Sequence, residues 1–198
     1  RCKMNYRKIL VEAGKKLYST KLVAGTSGNI SLRGEDEDSF YITPSGMDYE
    51  KIEEKDIVKI HADGKPYIEG QVPSSEWQMH LEIYKNYPKY NAVVHTHSTF
   101  ATAFAVAREE IPLISIEMEP FIGGELKVAP FEKAGSMELA KAIIPYLEKP
   151  NSCLLANHGV LCCGASMEKA FLSAEYVEDL AKIYYYAKGI GRVYTIND

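Results

Sequence analysis

Residues 93–99 read VVHTHST and set His95 and His97 two positions apart at the end of an apolar run. In an extended strand, side chains at i and i+2 point to one face, so the two imidazoles project together while Thr96 projects away. That spacing lets two neutral ring nitrogens approach one small cation without distorting the backbone. It equally suits two polar residues leaving the core at a strand end. A third histidine, His158, interrupts the apolar stretch LLANHGVL. An Asn-His-Gly break within a buried strand pair is a local conflict of the kind found at functional positions. Three imidazoles with an open position form a common catalytic zinc set, often completed by a carboxylate, whereas magnesium and calcium favour oxygen donors throughout.

Glu76, in VPSSEWQMH, is the candidate carboxylate. Read locally, it is a first-turn glutamate of a serine-capped helix, favoured by the helix dipole, or the partner of His80 four residues on. His61, in VKIHADG, reads as a surface residue at a turn. Three stretches offer hydroxyls and flexible backbone N–H groups: GTSGN (25–29), TPSG (43–46) and PSSE (73–76). Such loops hold phosphate through many hydrogen bonds, and a helix N-terminus adds its dipole. Each also suits an ordinary turn, and neither a Walker A nor a dinucleotide fingerprint is present. A zinc-hydrolase reading lacks the H-E-x-x-H helix and leaves these loops unexplained.

The elements that must position these groups follow from periodicity. Ile9, Leu10, Ala13, Leu17 and Leu22 give residues 4–23 a helical period, stopped by Gly25. GNISLR and SFYIT alternate around the acidic run Glu35–Asp38 and read as a hairpin with a solvated loop. DIVKIH reads as a strand, and DGKPYIEG as a turn with a short extended piece. A helix from Ser75 to Tyr87, capped by Ser74 or Ser75, ends at Pro88. NAVVHTH reads as a strand, STFATAFAVARE as a Ser/Thr-capped helix, and IPLISIEM as extended. Gly123-Gly124 mark a turn. SMELAKAIIPYLEK is a helix kinked or shortened at Pro145. NSCLLANHGVLCCG makes two strands, and Met167–Lys188 a last helix, whose Tyr184–Tyr186 serve either an interface or the core. The irregular alternation predicts an α/β fold, one mixed sheet covered by helices on both faces, with residues 1–198 as a single domain.

Composition is that of an ordinary globular chain: 198 residues, 46% hydrophobic, 25% charged, net charge −4. No basic cluster points to nucleic acid, and no apolar run of membrane-spanning length occurs. Cys2, Cys153, Cys162 and Cys163 lack the spacing of a disulfide framework or a zinc site and read as reduced thiols of a cytoplasmic protein.

Taken in order, GTSGNIS, ITPSGMDYEKI, PSSEWQMHLEIY, AVVHTHS and ANHGVLCCG resemble the class II aldolase/adducin family, and within it the ketose-phosphate aldolase branch. The resemblance spans nearly the whole chain. It implies a three-layer αβα domain with a largely antiparallel central sheet, a zinc-dependent homotetramer, and a small-molecule sugar phosphate as substrate. It puts the zinc ligands on His95, His97 and His158, with Glu76 both approaching the metal and acting as the catalytic carboxylate. It puts phosphate binding on Thr26, Asn29, Ser45, Gly46, Ser74 and Ser75, with Ser27 and Gly28 in the same loop. In one respect the sequence departs. Where the branch uses a tyrosine of a neighbouring subunit on the aldehyde oxygen, SIEMEPFIGG offers Glu117 and Glu119 instead. A C-terminal tail with a further active-site tyrosine is expected to be absent or shortened. The same site supports dehydratase, decarboxylase or 4-epimerase chemistry in other relatives, although an epimerase would carry Asp where Glu76 stands. A non-catalytic, adducin-like binding protein would have lost the metal ligands.

Overall fold

The computed structural model describes residues 4–36 and 38–198; Cys2 and Glu37 lie outside the described residues. The chain runs α1 (Tyr6–Ser19), β1 (Asn29–Arg33), β2 (Ser39–Ile42), β3 (Val58–His61), α2 (Trp77–Asn86), β4 (Ala92–Thr96), α3 (Thr99–Ala107), α4 (Met118–Phe121), β5 (Val128–Ala129), α5 (Met137–Ala142), β6 (Ser152–Leu155), β7 (Gly159–Gly164) and α6 (Met167–Ile190). The strands form one seven-stranded sheet in the order β3-β2-β1-β4-β7-β6-β5. Every neighbouring pair is antiparallel except β5 with β6.

Strand alternation divides the core into two layers. Ile30, Leu32, Ala92, Val94, Val160 and Cys162 pack with residues of α1, α3, α4 and α6 on one face. Phe40, Val93, Leu161, Cys163 and Leu155 pack with residues of α2 and α5 on the other. This is the expected αβα sandwich. Each fully buried Leu or Ile adds about 1.5–3 kcal/mol. The period-2 rule then fixes where the polar residues of the central strands point. His95 shares the α2 face with Val93, and its registered partner across β1 is Asn29, with Ser31 opposite Val93. The functional side chains therefore gather between the sheet and α2.

Local departures from expectation have local causes. α1 ends at Thr20, where Lys21 takes a left-handed φ of 59°, four residues before Gly25. IPLISIEM is not a strand. Ile111 makes one isolated bridge to Leu126, Pro112 has no N–H to extend it, and Met118 opens α4 after bonding Ser115 O at 3.2 Å. The piece after β3 likewise stops at one bridge, Ile60 with Pro66. Helix α5 gives way to a 3-10 turn at Ile144–Tyr146, around Pro145 as expected.

Neither predicted serine caps its helix, and at α3 a carboxylate takes its place. The N-cap of α2 is Glu76; Ser74 Oγ accepts only from Glu76 N, at 3.3 Å. Ser98 precedes α3 without a side-chain cap. Instead Glu178 of α6 accepts from Phe100 N and Ala101 N, both at 2.9 Å. A carboxylate suits the start of α3 because the first N–H groups of a helix lack intrahelical acceptors and carry its positive dipole end. Among the described residues, no helix is long and apolar enough to cross a membrane.

Candidate metal centre

Strand β4 delivers His95 and, one step past its end, His97; their Nε2 atoms lie 3.0 Å apart. The β6–β7 turn delivers His158. It closes with Asn157 at φ 53°, and His158 N bonds Leu155 O at 3.0 Å. Close strand approach requires the glycine that follows. A Cβ on Gly159 would stand 2.3 Å from Thr96 O and 2.9 Å from His97 Cδ2. The N-cap of α2 delivers Glu76. Its Oε2 is 3.2 Å from His95 Nε2, and its Oε1 is 3.1 Å from His158 Nε2. One donor atom from each of these four residues lies within 4.8 Å of the others.

The donors are aimed inward. His95 Nδ1–H donates to Val160 O at 2.8 Å, which leaves the Nε2 lone pair facing the cluster. Nitrogens 3.0 Å apart that both present lone pairs repel unless positive charge lies between them. Glu76 Oε1 is buried and accepts no aligned hydrogen bond, and His158 Nδ1 is buried without a partner. Burial, then the charges of His95 and His158, push His97 down to about 4. Burial alone would raise the Glu76 carboxyl. The charge on His95 and the contacts from His158 and His95 outweigh it and hold the group well below the ordinary carboxylate range. An ionised Glu76 carboxylate facing three imidazoles is a donor set that fits a divalent metal ion.

Glu76 does not pair with His80. Its Oε2 accepts instead from Asn29 Nδ2 at 2.8 Å. Asn29 Oδ1 meets His80 Nε2 at 2.5 Å, and His80 Nδ1 meets Ser31 Oγ at 2.6 Å. Ser31 Oγ is also 2.6 Å from Tyr84 OH. Burial pushes His80 down to about 3, so its ring is neutral. Ser31 and Tyr84 were not singled out from sequence. Their only signal was polar residues at core-facing positions, Ser31 on a buried strand and Tyr84 one turn beyond His80.

The three hydroxyl-rich loops meet next to this cluster. Pro44 and Pro73 form an isolated antiparallel bridge, with Ser45 N on Val72 O at 3.2 Å and Ser74 N on Thr43 O at 3.0 Å. Thr43 N in turn bonds Ile30 O at 3.1 Å, which links TPSG to the start of β1. Thr26, Ser45, Gly46 and Ser75 are exposed, whereas Ser74 and Asn29 are buried. Ser27 Oγ is spent on its own turn, donating to Ala24 O at 2.7 Å. Gly28, at φ 75°, permits the turn into β1; a Cβ there would stand 2.7 Å from His95 O. Glu117 and Glu119 are not in the four-residue group. Glu117 accepts from Ser115 Oγ, and Glu119 lines a separate cavity with Gly124, Lys127 and Pro150. His61 is exposed and stacks on Tyr67, with centroids 3.7 Å apart.

A mixed sheet between helices, with two imidazoles at the end of β4, a third from the β6–β7 turn and a glutamate from a helix cap, defines a known class of protein. Residues 8–185 match the family described as Class II Aldolase and Adducin N-terminal domain, and the chain belongs to that family. Within it, the chain is 39% identical over 186 residues to a 5-deoxy-D-ribulose 1-phosphate aldolase of Bacillus thuringiensis serovar kurstaki, covering 93% of this chain and 86% of the relative. It is 39% identical over 160 residues to an L-fuculose phosphate aldolase of Escherichia coli strain K12, covering 81% and 73%. A solved L-fuculose 1-phosphate aldolase superposes with a TM-score of 0.92 at 36% identity, covering 98% of this chain and 92% of that one.

Proposed function

We propose that this class II aldolase works as a single-domain, zinc-dependent lyase of the cytoplasm. It cleaves a ketose 1-phosphate, such as L-fuculose 1-phosphate, reversibly into dihydroxyacetone phosphate and an aldehyde, lactaldehyde in that case. The observation that carries the reading is the convergence of His95, His97, His158 and Glu76 within 4.8 Å, beside loops able to hold an anion. Three imidazoles and one carboxylate favour zinc over magnesium or calcium. A non-catalytic, adducin-like role would leave four such groups without a purpose.

When bound, the metal supplies Lewis-acid stabilisation, worth several kcal/mol, to the negative charge that develops on the ketose oxygen. The chain's own residues do the rest. Thr26, Asn29, Ser45, Gly46, Ser74 and Ser75, with the loop of Ser27 and Gly28, hold the phosphate, helped by the N-terminal end of α2. As the C3–C4 bond breaks, its electron pair moves toward the carbonyl and the C4 hydroxyl loses its proton. Glu76 returns a proton to C3, and in the synthetic direction removes it. Its Oε1 is the oxygen left for this task, because Oε2 is occupied by Asn29. Glu117 or Glu119, contributed by a neighbouring subunit of a homotetramer, handles the proton at the aldehyde oxygen.

The test is release of dihydroxyacetone phosphate from L-fuculose 1-phosphate and from 5-deoxy-D-ribulose 1-phosphate, with products identified by mass. Activity should vanish after chelation and return with zinc. Activity that survives thorough chelation overturns the metal assignment. A dehydrated, decarboxylated or epimerised product in place of two fragments overturns the cleavage reaction.

A further inference from the structure

Five buried side chains from β1, α2 and its N-cap join end to end: Glu76, Asn29, His80, Ser31 and Tyr84. Their donor and acceptor roles are not free to vary. An ionised carboxylate only accepts, so Asn29 must turn its NH2 to Glu76 and its carbonyl to His80. That carbonyl also only accepts, so His80 Nε2 must carry the hydrogen. A neutral imidazole protonated at Nε2 accepts at Nδ1, so the Ser31 hydroxyl donates there. Ser31 Oγ is then left to accept from Tyr84 OH. Every hydrogen in the row points toward Glu76.

From this arrangement we infer that His80 is a positioning residue for the aldolase reaction. It locks Asn29 in the orientation that occupies Glu76 Oε2, which fixes the plane of the carboxylate and leaves Oε1 without an aligned hydrogen bond. His80 lies outside the four-residue group and meets the hydroxyl loops only at Asn29, so its effect passes through Asn29. The lock also ties together two jobs. Asn29 gives one amide hydrogen to Glu76 and has only its second to offer a phosphate, so a shift in its amide disturbs both ends of the substrate site. An apolar residue at position 80 would leave Asn29 Oδ1 buried without a partner and take from the Ser31 hydroxyl the acceptor to which it donates, leaving it Tyr84 OH alone. The Asn29 amide is then free to rotate, and Glu76 loses its fixed aim. Misaim of a proton-transfer group lowers kcat more than it lowers binding.

The inference rests on the functional reading above, and two measurements separate their fates. The first needs no turnover. Nitrogen-15 NMR of histidine-labelled protein, with and without zinc, should show the His80 ring neutral and protonated at Nε2, with that proton protected from exchange. A ring protonated at Nδ1, or one that switches tautomer freely, overturns the inference whether or not any ketose phosphate is cleaved. The second is kinetic. His80→Leu should keep its zinc while kcat falls about 10- to 100-fold and KM changes less than about threefold. His80→Gln, whose amide N–H can take the place of Nε2–H, should recover most of the loss. If His80 acts through Asn29, adding His80→Leu to Asn29→Ala should cost nothing further. Full additivity, or an unchanged kcat in a zinc-loaded His80→Leu enzyme, overturns it. A wild-type protein that cleaves no ketose phosphate removes the functional reading and leaves the NMR result to decide this one.

Discussion

Gly159 offers the most quantitative test of how the fold holds the cluster. It opens β7 one residue after His158 and lies against the end of β4. A Cβ added there would stand 2.3 Å from Thr96 O, about 0.7 Å inside the 3.0 Å that such contacts respect, and 2.9 Å from His97 Cδ2. The obstacle is backbone held in the sheet by the β4–β7 pairing, which registers Thr96 with Val160 and His95 with Leu161. It cannot swing aside as a side-chain tip would. Gly159→Ala must therefore spread β4 from β7, and with them His95 and His97 from His158 in the turn before β7. Overpacking of this size costs about 1–3 kcal/mol. At about 2–4 °C per kcal/mol for a chain of this length, the variant should melt about 2–12 °C lower. Metal–ligand distances tolerate only about 0.2 Å, so zinc affinity should fall at least about tenfold. Thermal melts with and without zinc, and competition against a chromophoric chelator, read both quantities. Gly189→Ala is the control. It lies in α6 with nothing within 4 Å of an added Cβ, and helix propensity predicts no loss and up to about 1 kcal/mol of gain. A Gly159→Ala protein that melts within about 1 °C of wild type and binds zinc equally well would refute the link between strand approach and ligand geometry.

Glu76→Gln keeps the size of the side chain and an oxygen for Asn29 but removes the base proposed above; kcat should fall about 10²- to 10⁴-fold while most bound metal is retained, measured by steady-state kinetics and metal analysis. Glu178→Ala deletes the acceptor for two α3 N–H groups, both at 2.9 Å, and should cost about 1–3 kcal/mol in a denaturant melt, with Glu178→Gln recovering about half because one oxygen remains. Cys153, Cys162 and Cys163 are fully buried; burial pushes Cys162 up to about 12 and holds Cys153 and Cys163 well above the ordinary thiol range too. A thiol reagent should leave these three unmodified in native protein and label them only on unfolding. Rapid native labelling of any of them would contradict the packing of β6 and β7.

What could be seen in the sequence was what depends on short-range geometry. The spacing of His95 and His97 needs only strand alternation to put both rings on one face. His158 stood out because Asn-His-Gly breaks an apolar run, and the break proved to be the β6–β7 turn. The sheet, its helical cover and the shortening of α5 at Pro145 were legible for the same reason. The Asn29–His80 connection was not. It depends on the register of β1 against β4 and on the rotation of α2 over the sheet, neither of which is written in local periodicity. The local options for Glu76, a dipole-stabilised first-turn residue or a partner of His80, gave way to contacts with residues far away in sequence. IPLISIEM looked extended because its composition is apolar and β-branched, but Pro112 and the burial of Met118 decided its path.

The four groups at positions 76, 95, 97 and 158 belong to segments made at very different moments of synthesis. A ribosome releases β4 with its imidazole pair long before the hairpin that brings His158 exists. Until that hairpin docks, any ion captured by the early part is held by an incomplete set and exchanges readily. Tight loading thus becomes possible only after β7 has slotted in beside β4, so retention of the ion reports that the centre of the sheet has closed.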